Sequence, residues 1–323
     1  MKYVIYGGNG FVGSHLVENL HSKNQEIVVC DINPDIDKKI NGKCKYIIAD
    51  IRDIDSLKSI PIEQDDVVIN LAANQYHQRV PKDAYHYFFD TNTLGTKNIL
   101  DDMISKSAHN FLMFTTDMVY GRPKEIPVKT THPMDPFGYY GLSKKKAEEI
   151  CSSFRNEGMN ITLMRPRMIC GPGRLGILTK LFKFMDLNLP VPTIGNGENH
   201  YQMISVFDCV SAIEAAICNN LPNKAYNLGS LNPPCVRELL KSTIEYAQSH
   251  SFVIPTPGKL VKAALACLEY IDLPIMYREQ YMIADEEYLL DISETVSDLK
   301  WQPKYNDQDM LIAAYQEFEN MKN

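Results

Sequence analysis

The chain has 323 residues, and 33 basic against 40 acidic side chains leave a formal net charge of −7. That length supports one large domain or two ordinary ones with real cores, and 45% hydrophobic residues argue against disorder. The acidic balance, with a pI near 5.7, argues against a nucleic-acid binder, which needs a basic face to neutralise phosphates.

Met1–Tyr6 runs straight into a glycine cluster, without the basic flank, apolar stretch and cleavage site of a targeting segment. No uninterrupted apolar run approaches the roughly 20 residues a membrane helix needs. The cysteines (Cys30, Cys44, Cys151, Cys170, Cys209, Cys218, Cys235 and Cys267) are scattered, with no C-x-x-C pair. No metal centre is expected from such spacing, and reduced thiols in a cytoplasmic protein are.

The first 115 residues alternate short β-branched runs with helical stretches. Lys2–Tyr6 reads as a strand, Phe11–Ser22 as a helix, and Glu26–Asp31 as a strand. Tyr46–Ile48 and Asp66–Leu71 are further strands, Thr93–Ser105 is helical, and Asn110–Thr115 is again a strand. This alternation predicts a doubly wound parallel sheet with helices on both faces. Tyr140–Arg155 follows as a helix with Leu142, Ala147, Ile150, Cys151 and Phe154 on its apolar side, and Ile161–Met164 as the next strand.

From Arg165 onward Pro and Gly punctuate the chain, at Pro166, Gly171-Pro172-Gly173, Pro190, Pro192, Gly195 and Gly197 among others. Such texture predicts short elements and loops that shape a site. Val206–Ala216 and Ala225–Leu228 read as a helix and strand that return to the first sheet. The expected organisation is a domain over 1–165, joined by 206–230, and a smaller interleaved region over 166–323. Lys259–Tyr270 is an apolar helix with few charges, expected to pack in a core or a dimer, with contact to a lipid surface as the alternative.

Gly7-Gly8-Asn9-Gly10-Phe11-Val12-Gly13 places G-x-x-G-x-x-G directly after the first strand and at the start of the first helix. Glycine serves here because the chain turns tightly, a pyrophosphate approaches the backbone, and helix packs close to sheet. The helix N-terminus then offers N–H groups and partial positive charge to phosphates. Gly7, Gly10, Phe11, Val12 and Gly13 are therefore read as a Rossmann-type dinucleotide cradle. Asp31 ends the second strand, where a carboxylate accepts both ribose hydroxyls of adenosine and repels a 2′-phosphate. NAD is favoured over NADP.

Three later segments extend the pattern: Phe114-Thr115-Thr116-Asp117-Met118-Val119-Tyr120-Gly121, then Tyr140-Gly141-Leu142-Ser143-Lys144, then Arg165-Pro166 followed by Gly171-Pro172-Gly173. With Ala49-Asp50-Ile51-Arg52-Asp53, Leu71-Ala72-Ala73, Asn92-Thr93-Leu94-Gly95-Thr96, Asn227-Leu228-Gly229 and Leu299-Lys300-Trp301-Gln302-Pro303, the chain resembles the extended short-chain dehydrogenase/reductase family from end to end. That family acts mostly on nucleotide sugars. The resemblance implies that Asp50 and Ile51 flank the adenine, that Leu71, Ala72 and Ala73 line the strand beneath pyrophosphate and ribose, and that Pro166 lies near the nicotinamide. It also implies a homodimer through the helices around Thr93–Ser105 and Tyr140–Arg155.

Tyr140 and Lys144 stand at i and i+4, so their side chains share a helix face. The resemblance makes Tyr140 the acid–base group, Lys144 the ammonium that lowers its pKa and holds the nicotinamide ribose, and Thr116 the hydroxyl that orients the substrate. The family's 4,6-dehydratases carry Asp-Glu after this threonine. Here Asp117 is present as a possible acid or substrate contact, but Met118 replaces the glutamate, and a thioether cannot remove a carbon-bound proton.

Departures concern the substrate. Arg167 stands where relatives with nucleotide sugars often have a small or amide residue, and is expected to face a phosphate or carboxylate. In Gly195-Asn196-Gly197-Glu198-Asn199-His200-Tyr201-Gln202, relatives usually present Arg-Asp where Tyr201-Gln202 stands, and that arginine grips the substrate diphosphate. Arg174, His200 and Arg278 are the candidates for its duty, with Tyr201 itself in the substrate region. A branch of the family that epimerises sugars on polyprenyl diphosphate also lacks this arginine. The expected activity is NAD-dependent 4-epimerisation of a nucleotide-linked hexose through a transient 4-keto sugar. The alternatives are a polyprenyl-diphosphate-linked substrate, a sugar dehydrogenase or keto-sugar reductase with net redox change, and a non-catalytic NAD-binding regulator.

Overall fold

The computed structural model describes residues 1–76, 79–176 and 178–322. In chain order, Tyr3–Tyr6 (β1), Phe11–Ser22 (α1), Ile27–Asp31 (β2), Lys45–Ile48 (β3), Ile54–Leu57 (α2), Val67–Asn70 (β4), Ala84–Phe89 (α3), Gly95–Ser105 (α4), Asn110–Phe114 (β5), Tyr139–Asn156 (α5) and Asn160–Pro166 (β6) form the first half. Met168–Cys170 (β7), Leu178–Asp186 (α6), Val191–Ile194 (β8), Met203–Ser205 (β9), Val206–Cys218 (α7), Ala225–Leu228 (β10), Val236–Tyr246 (α8), Val253–Thr256 (β11), Gly258–Tyr270 (α9), Arg278–Tyr281 (α10), Ser293–Leu299 (α11) and Asp307–Asn320 (α12) complete it.

Seven strands make one sheet in the order β10-β6-β5-β4-β1-β2-β3, with every neighbouring pair parallel. The central strands are apolar on both sides because both faces are covered. Along β1, Tyr3 and Ile5 enter the core under α1 and α7, while Val4 and Tyr6 enter the opposite core under α4 and α5. The first core takes Leu16, Val17, Cys209 and Ile213, and the second takes Leu100, Met103, Ala147 and Cys151. The strand order reverses at β1, between β4 and β2, and open sheets of this kind bind ligands at the carboxyl ends of the strands beside such a reversal.

Beyond β6 the chain is more regular than its Pro and Gly content implies. Helices α6, α8 and α12 pack around Phe182, Leu239, Leu240 and Phe318, beside the parallel pairs β7–β9 and β8–β11. A fourth core joins Val119, Tyr120 and Val128 to Ile283, Tyr288 and Leu290, and so ties the turn after β5 to the C-terminal third. The apolar helix α9 does not pack as a core helix. Leu265 is its one buried residue, Leu260 is 69% exposed, and Tyr270, at its end, is 91% exposed.

Candidate active site

The glycine loop leaves β1 at the strand-order reversal. Gly7 has φ +75°, and a Cβ there would lie 2.5 Å from the Ala72 amide nitrogen, so both the turn and the approach to the next strand require glycine. Gly10 N–H donates to the Gly7 carbonyl at 3.0 Å and heads α1 without a side-chain cap. The first-turn N–H groups of Phe11, Val12 and Gly13 therefore meet no side-chain cap, an arrangement that suits an anionic ligand. Asp31, at the end of β2, accepts from the Asn9 and Asn33 amides at 3.1 Å each, which sets its carboxylate beside the loop. Leu71, Ala72 and Ala73, half-buried, follow β4 across the loop, where the Leu71 amide donates to the Tyr6 carbonyl at 2.9 Å.

A cradle that side chains would fill, an open helix start and a carboxylate at the ribose position fit a dinucleotide. Two residues expected on the adenine side have partners within the protein. The Ile51 side chain turns into the core and packs on Gly95, and the Asp50 carboxylate is engaged by Arg52 at 2.6 Å. Among the described residues no group of three or more His, Cys, Asp or Glu is arranged for a metal ion.

Across the cleft, β5 ends in Thr115-Thr116 and a short turn over Asp117–Tyr120. Thr116 caps that turn, its Oγ1 accepting from the Met118 amide at 3.2 Å, and its hydroxyl meets the Tyr140 phenol. Lys144 lies one turn along α5 from Tyr140 and is buried, its Nζ donating to the Phe114 carbonyl at 3.0 Å. Burial pulls the Lys144 pKa down to about 8, against the charge of Glu148 one turn further on.

The Tyr140 phenol, expected to be lowered, is raised in the protein alone. Burial is the main cause, and Asp117 and Glu279 add to it, while the Thr116 hydroxyl and Arg174 work the other way. Lys144 is not among the groups that chiefly shift the phenol, and its Nζ donates to a backbone carbonyl. Pro166, buried, closes β6 beside Leu228 of β10.

The residues expected to receive substrate divide sharply. Arg167 does not face a ligand. It is 2% exposed, ion-paired with Asp117, and lies between the rings of Tyr201 and Tyr288, at 4.5 and 4.1 Å from their centroids. Its Nε and Nη2 have no hydrogen-bond acceptor, so the ring faces are what the rest of the guanidinium meets. Tyr201 thus packs on a buried cation, and Gln202 bridges the Ser230 carbonyl and the Leu290 amide at 2.7 and 2.8 Å.

His200 pairs with Glu287 at 2.8 Å. Arg278 is exposed on a hollow of about 350 Å³ lined by Lys82, Phe137, Tyr139, Asp272 and Tyr277, in which neither Thr116 nor Tyr140 takes part. Of these cations, Arg174 is the one whose charge acts on the Tyr140 phenol. Its guanidinium lies 5.9 Å from the Phe11 ring, and Tyr140 is the titratable group whose charge acts on it. Its loop is held by Glu317 of α12, whose carboxylate accepts from the Gly173 amide at 2.7 and 2.8 Å.

Two supporting groups, Glu148 and Glu279, lie outside every motif. Glu148 pairs with Arg165 at 2.6 Å, Arg165 reaches the Tyr120 hydroxyl at 2.8 Å, and that hydroxyl donates to Asn227 Oδ1 at 2.6 Å, all buried behind Lys144. Glu279, from α10, touches the start of α5. Their partners lie 17 to 139 residues away in sequence, except within α5, so spacing carries no signal for them.

A doubly wound sheet with a glycine cradle at its strand-order reversal and a Thr–Tyr–Lys constellation across the cleft defines a dinucleotide-dependent enzyme class. Residues 3–229 match the family model described as NAD dependent epimerase/dehydratase family, and the chain belongs to that family. It is 31% identical over 351 aligned positions to a UDP-glucose 4-epimerase of Streptococcus mutans, covering 97% of this chain and 95% of that protein. It is 30% identical over 222 residues to the N-acetyl-alpha-D-glucosaminyl-diphospho-ditrans,octacis-undecaprenol 4-epimerase of Escherichia coli O157:H7, covering 67% of this chain and 63% of that protein. The fold matches a crystal structure of UDP-glucuronic acid 4-epimerase from Bacillus cereus in complex with NAD, with a TM-score of 0.77, 20% identity and complete coverage of both chains. Among the described residues no helix is long and apolar enough to cross a membrane.

Proposed function

We propose that the protein is an NAD-dependent sugar 4-epimerase acting on a hexose carried by a nucleoside diphosphate. The observation that carries this reading is the Thr116 hydroxyl against the Tyr140 phenol, with Lys144 behind, across from the glycine loop. In this reading Thr116 orients the sugar 4-hydroxyl, and Tyr140 as phenolate takes its proton. Bound NAD⁺ supplies the acceptor for the C4 hydride and returns it. The 4-keto sugar turns over in the cleft before the return, and Tyr140 gives the proton back on the other face. Lys144 keeps a positive charge beneath the phenolate and holds the nicotinamide ribose. Arg174 takes the place of the missing diphosphate arginine. Residues 1–165 with 206–230 hold the cofactor, 166–323 mainly hold the sugar, and the α4 and α5 faces pair two copies.

Asp117 supports epimerisation over dehydration, because its carboxylate is committed to Arg167 and the Met118 thioether beside it cannot take up a carbon-bound proton. A second reading, a sugar on polyprenyl diphosphate, is favoured by one observation. Leu260, Tyr270, Ile271, Leu273 and Ile275 are exposed in the same region, 166–323, in which Tyr201 replaces the arginine.

The test is proton NMR of the purified protein with catalytic NAD⁺ and, separately, UDP-glucose, UDP-N-acetylglucosamine and an undecaprenyl-diphosphate sugar. A C4 stereoisomer at equilibrium without stoichiometric NADH is expected from a UDP-sugar. Turnover of the polyprenyl sugar alone selects the second reading. Stoichiometric NADH, or NAD⁺ binding with no product from any of the three, overturns both.

A further inference from the structure

The helix that carries Tyr140 begins without the means to finish itself. Its N-cap is Gly138, which has no side chain, and its first turn holds no acidic residue. The N–H groups there need an acceptor, and a negative charge at that end is favoured by the helix dipole. Both come from Glu279, 139 residues further along the chain. Its Oε1 accepts from the Tyr140 amide at 3.0 Å and its Oε2 from the Gly141 amide at 3.1 Å. The Tyr76 hydroxyl donates to Oε1 at 2.6 Å. Tyr76 in turn stacks on Tyr277 at 4.7 Å and meets the Tyr140 ring edge-on at 5.8 Å.

Gly138 makes the contact possible, because a Cβ at that position would overlap the Glu279 carboxylate. Glu279 is 3% exposed, and no cation pairs with it among the described residues. Three donors and a helix N-terminus therefore carry the whole solvation of a buried carboxylate set beside a catalytic phenol.

We infer that Glu279 is a positioning residue for Tyr140, a cap supplied from the C-terminal third that fixes the start of the catalytic helix and sets the phenol's ionisation. The inference rests on the reading of Tyr140 as the acid–base group. The charged and titratable groups around Tyr140 are Asp117 and Glu279, which oppose the phenolate, Arg174, which favours it, Tyr76, and Lys144 one turn along α5. Those facing Glu279 are Tyr76, Tyr140 and Glu269. Burial and Glu269 hold the Glu279 carboxyl above its usual range, and its hydrogen bonds oppose that rise. A group so placed does more than hold backbone, because its charge is read by the phenol.

The test is ¹³C NMR of the NAD⁺-loaded protein labelled at tyrosine Cζ, with the Tyr140 signal assigned by its loss in Tyr140→Phe. Glu279→Gln keeps an acceptor and removes the charge, and the Tyr140 midpoint is expected to fall by about one pH unit. Tyr76→Phe removes a donor and leaves the charge, so the midpoint stays or rises. Gly138→Ala keeps every functional group but displaces the carboxylate. It is expected to lower the midpoint and to speed amide exchange at Tyr140 and Gly141 about tenfold. If Glu279→Gln does not fold, Gly138→Ala carries the same test.

Equal midpoints in wild type and the charge-removing or charge-displacing variant, including no titration in either up to about pH 12, overturn the inference. So does an equal fall in Tyr76→Phe, which marks general loosening. The measurement needs no turnover. A Tyr140→Phe protein that still epimerises sugars therefore sinks the functional reading and leaves this result intact.

Discussion

Asp117 gives its carboxylate to Arg167, and the guanidinium so paired lies between the rings of Tyr201 and Tyr288. One arrangement thus accounts for two departures from the family pattern. The arginine that looked like a substrate contact is a counter-ion, and the tyrosine that replaces a phosphate-binding arginine is its packing partner. Removing one member leaves the other buried and unpaired, which costs on the order of 3–5 kcal/mol. Arg167→Leu is expected to lose that much in urea denaturation, and Asp117→Leu combined with Arg167→Leu to recover most of it. Neither protein should form a dehydrated sugar.

Tyr140→Phe keeps the ring and its packing on Tyr76 but removes the proton that moves. Turnover should fall by about 10²–10⁴, the usual worth of general acid–base catalysis, while NAD⁺ affinity stays within about twofold. Product formation by NMR and calorimetric titration with NAD⁺ measure the two quantities. Turnover retained within tenfold would rule out Tyr140 as the base.

The Lys144 pKa, about 8 in the folded protein against 10.5 unperturbed, gives a signed pH dependence. Between those values the unfolded chain binds the proton that the native protein has released, so stability contributed by this group rises with pH from about 8 to 10.5. Denaturation from pH 7 to 10 should show that rise in the wild type and lose it in Lys144→Met. The ammonium's hold on the ribose runs the opposite way. NAD⁺ affinity should weaken as pH climbs through about 8, and an affinity flat across that range would contradict the assigned role.

Arg174 is the cation left for an anionic carrier. Loss of a charge-assisted hydrogen bond of about 1.5–3 kcal/mol corresponds to roughly 10–100-fold. Arg174→Ala should raise KM for a diphosphate-linked sugar by that factor, with a smaller effect on kcat. Because Arg174 also favours the Tyr140 phenolate, the acid limb of the pH profile should move to higher pH. An unchanged KM would return the diphosphate site to another residue.

Most of the sheet was legible because its strands are apolar runs between turn signals, and its helices show one buried face. Phe11–Ser22 and Ala225–Leu228 match their expected bounds. The i, i+4 spacing of Tyr140 and Lys144 made their shared helix face legible, whereas their grouping with Thr116 came from the resemblance to a family.

What escaped reading is non-local. Arg167 sits next to a motif, yet its orientation depends on Asp117, Tyr201 and Tyr288, which tertiary packing brings together. Helix α9 has the composition of a core element, and only its placement shows that Leu265 alone is buried.

Two carboxylates from the C-terminal third, Glu279 and Glu317, capture backbone N–H groups at the start of α5 and in the Gly173 loop. These contacts close loops of 139 and 144 residues, far longer than those joining adjacent strands of the sheet. Such closures are entropically expensive and slow to reward a folding chain. The cofactor cradle, built between β1, α1 and β4, should consequently appear early in refolding. The Tyr140 end of α5 and the Arg174 loop should order only in the last phase, so that the ability to bind NAD⁺ returns before the ability to turn over a sugar.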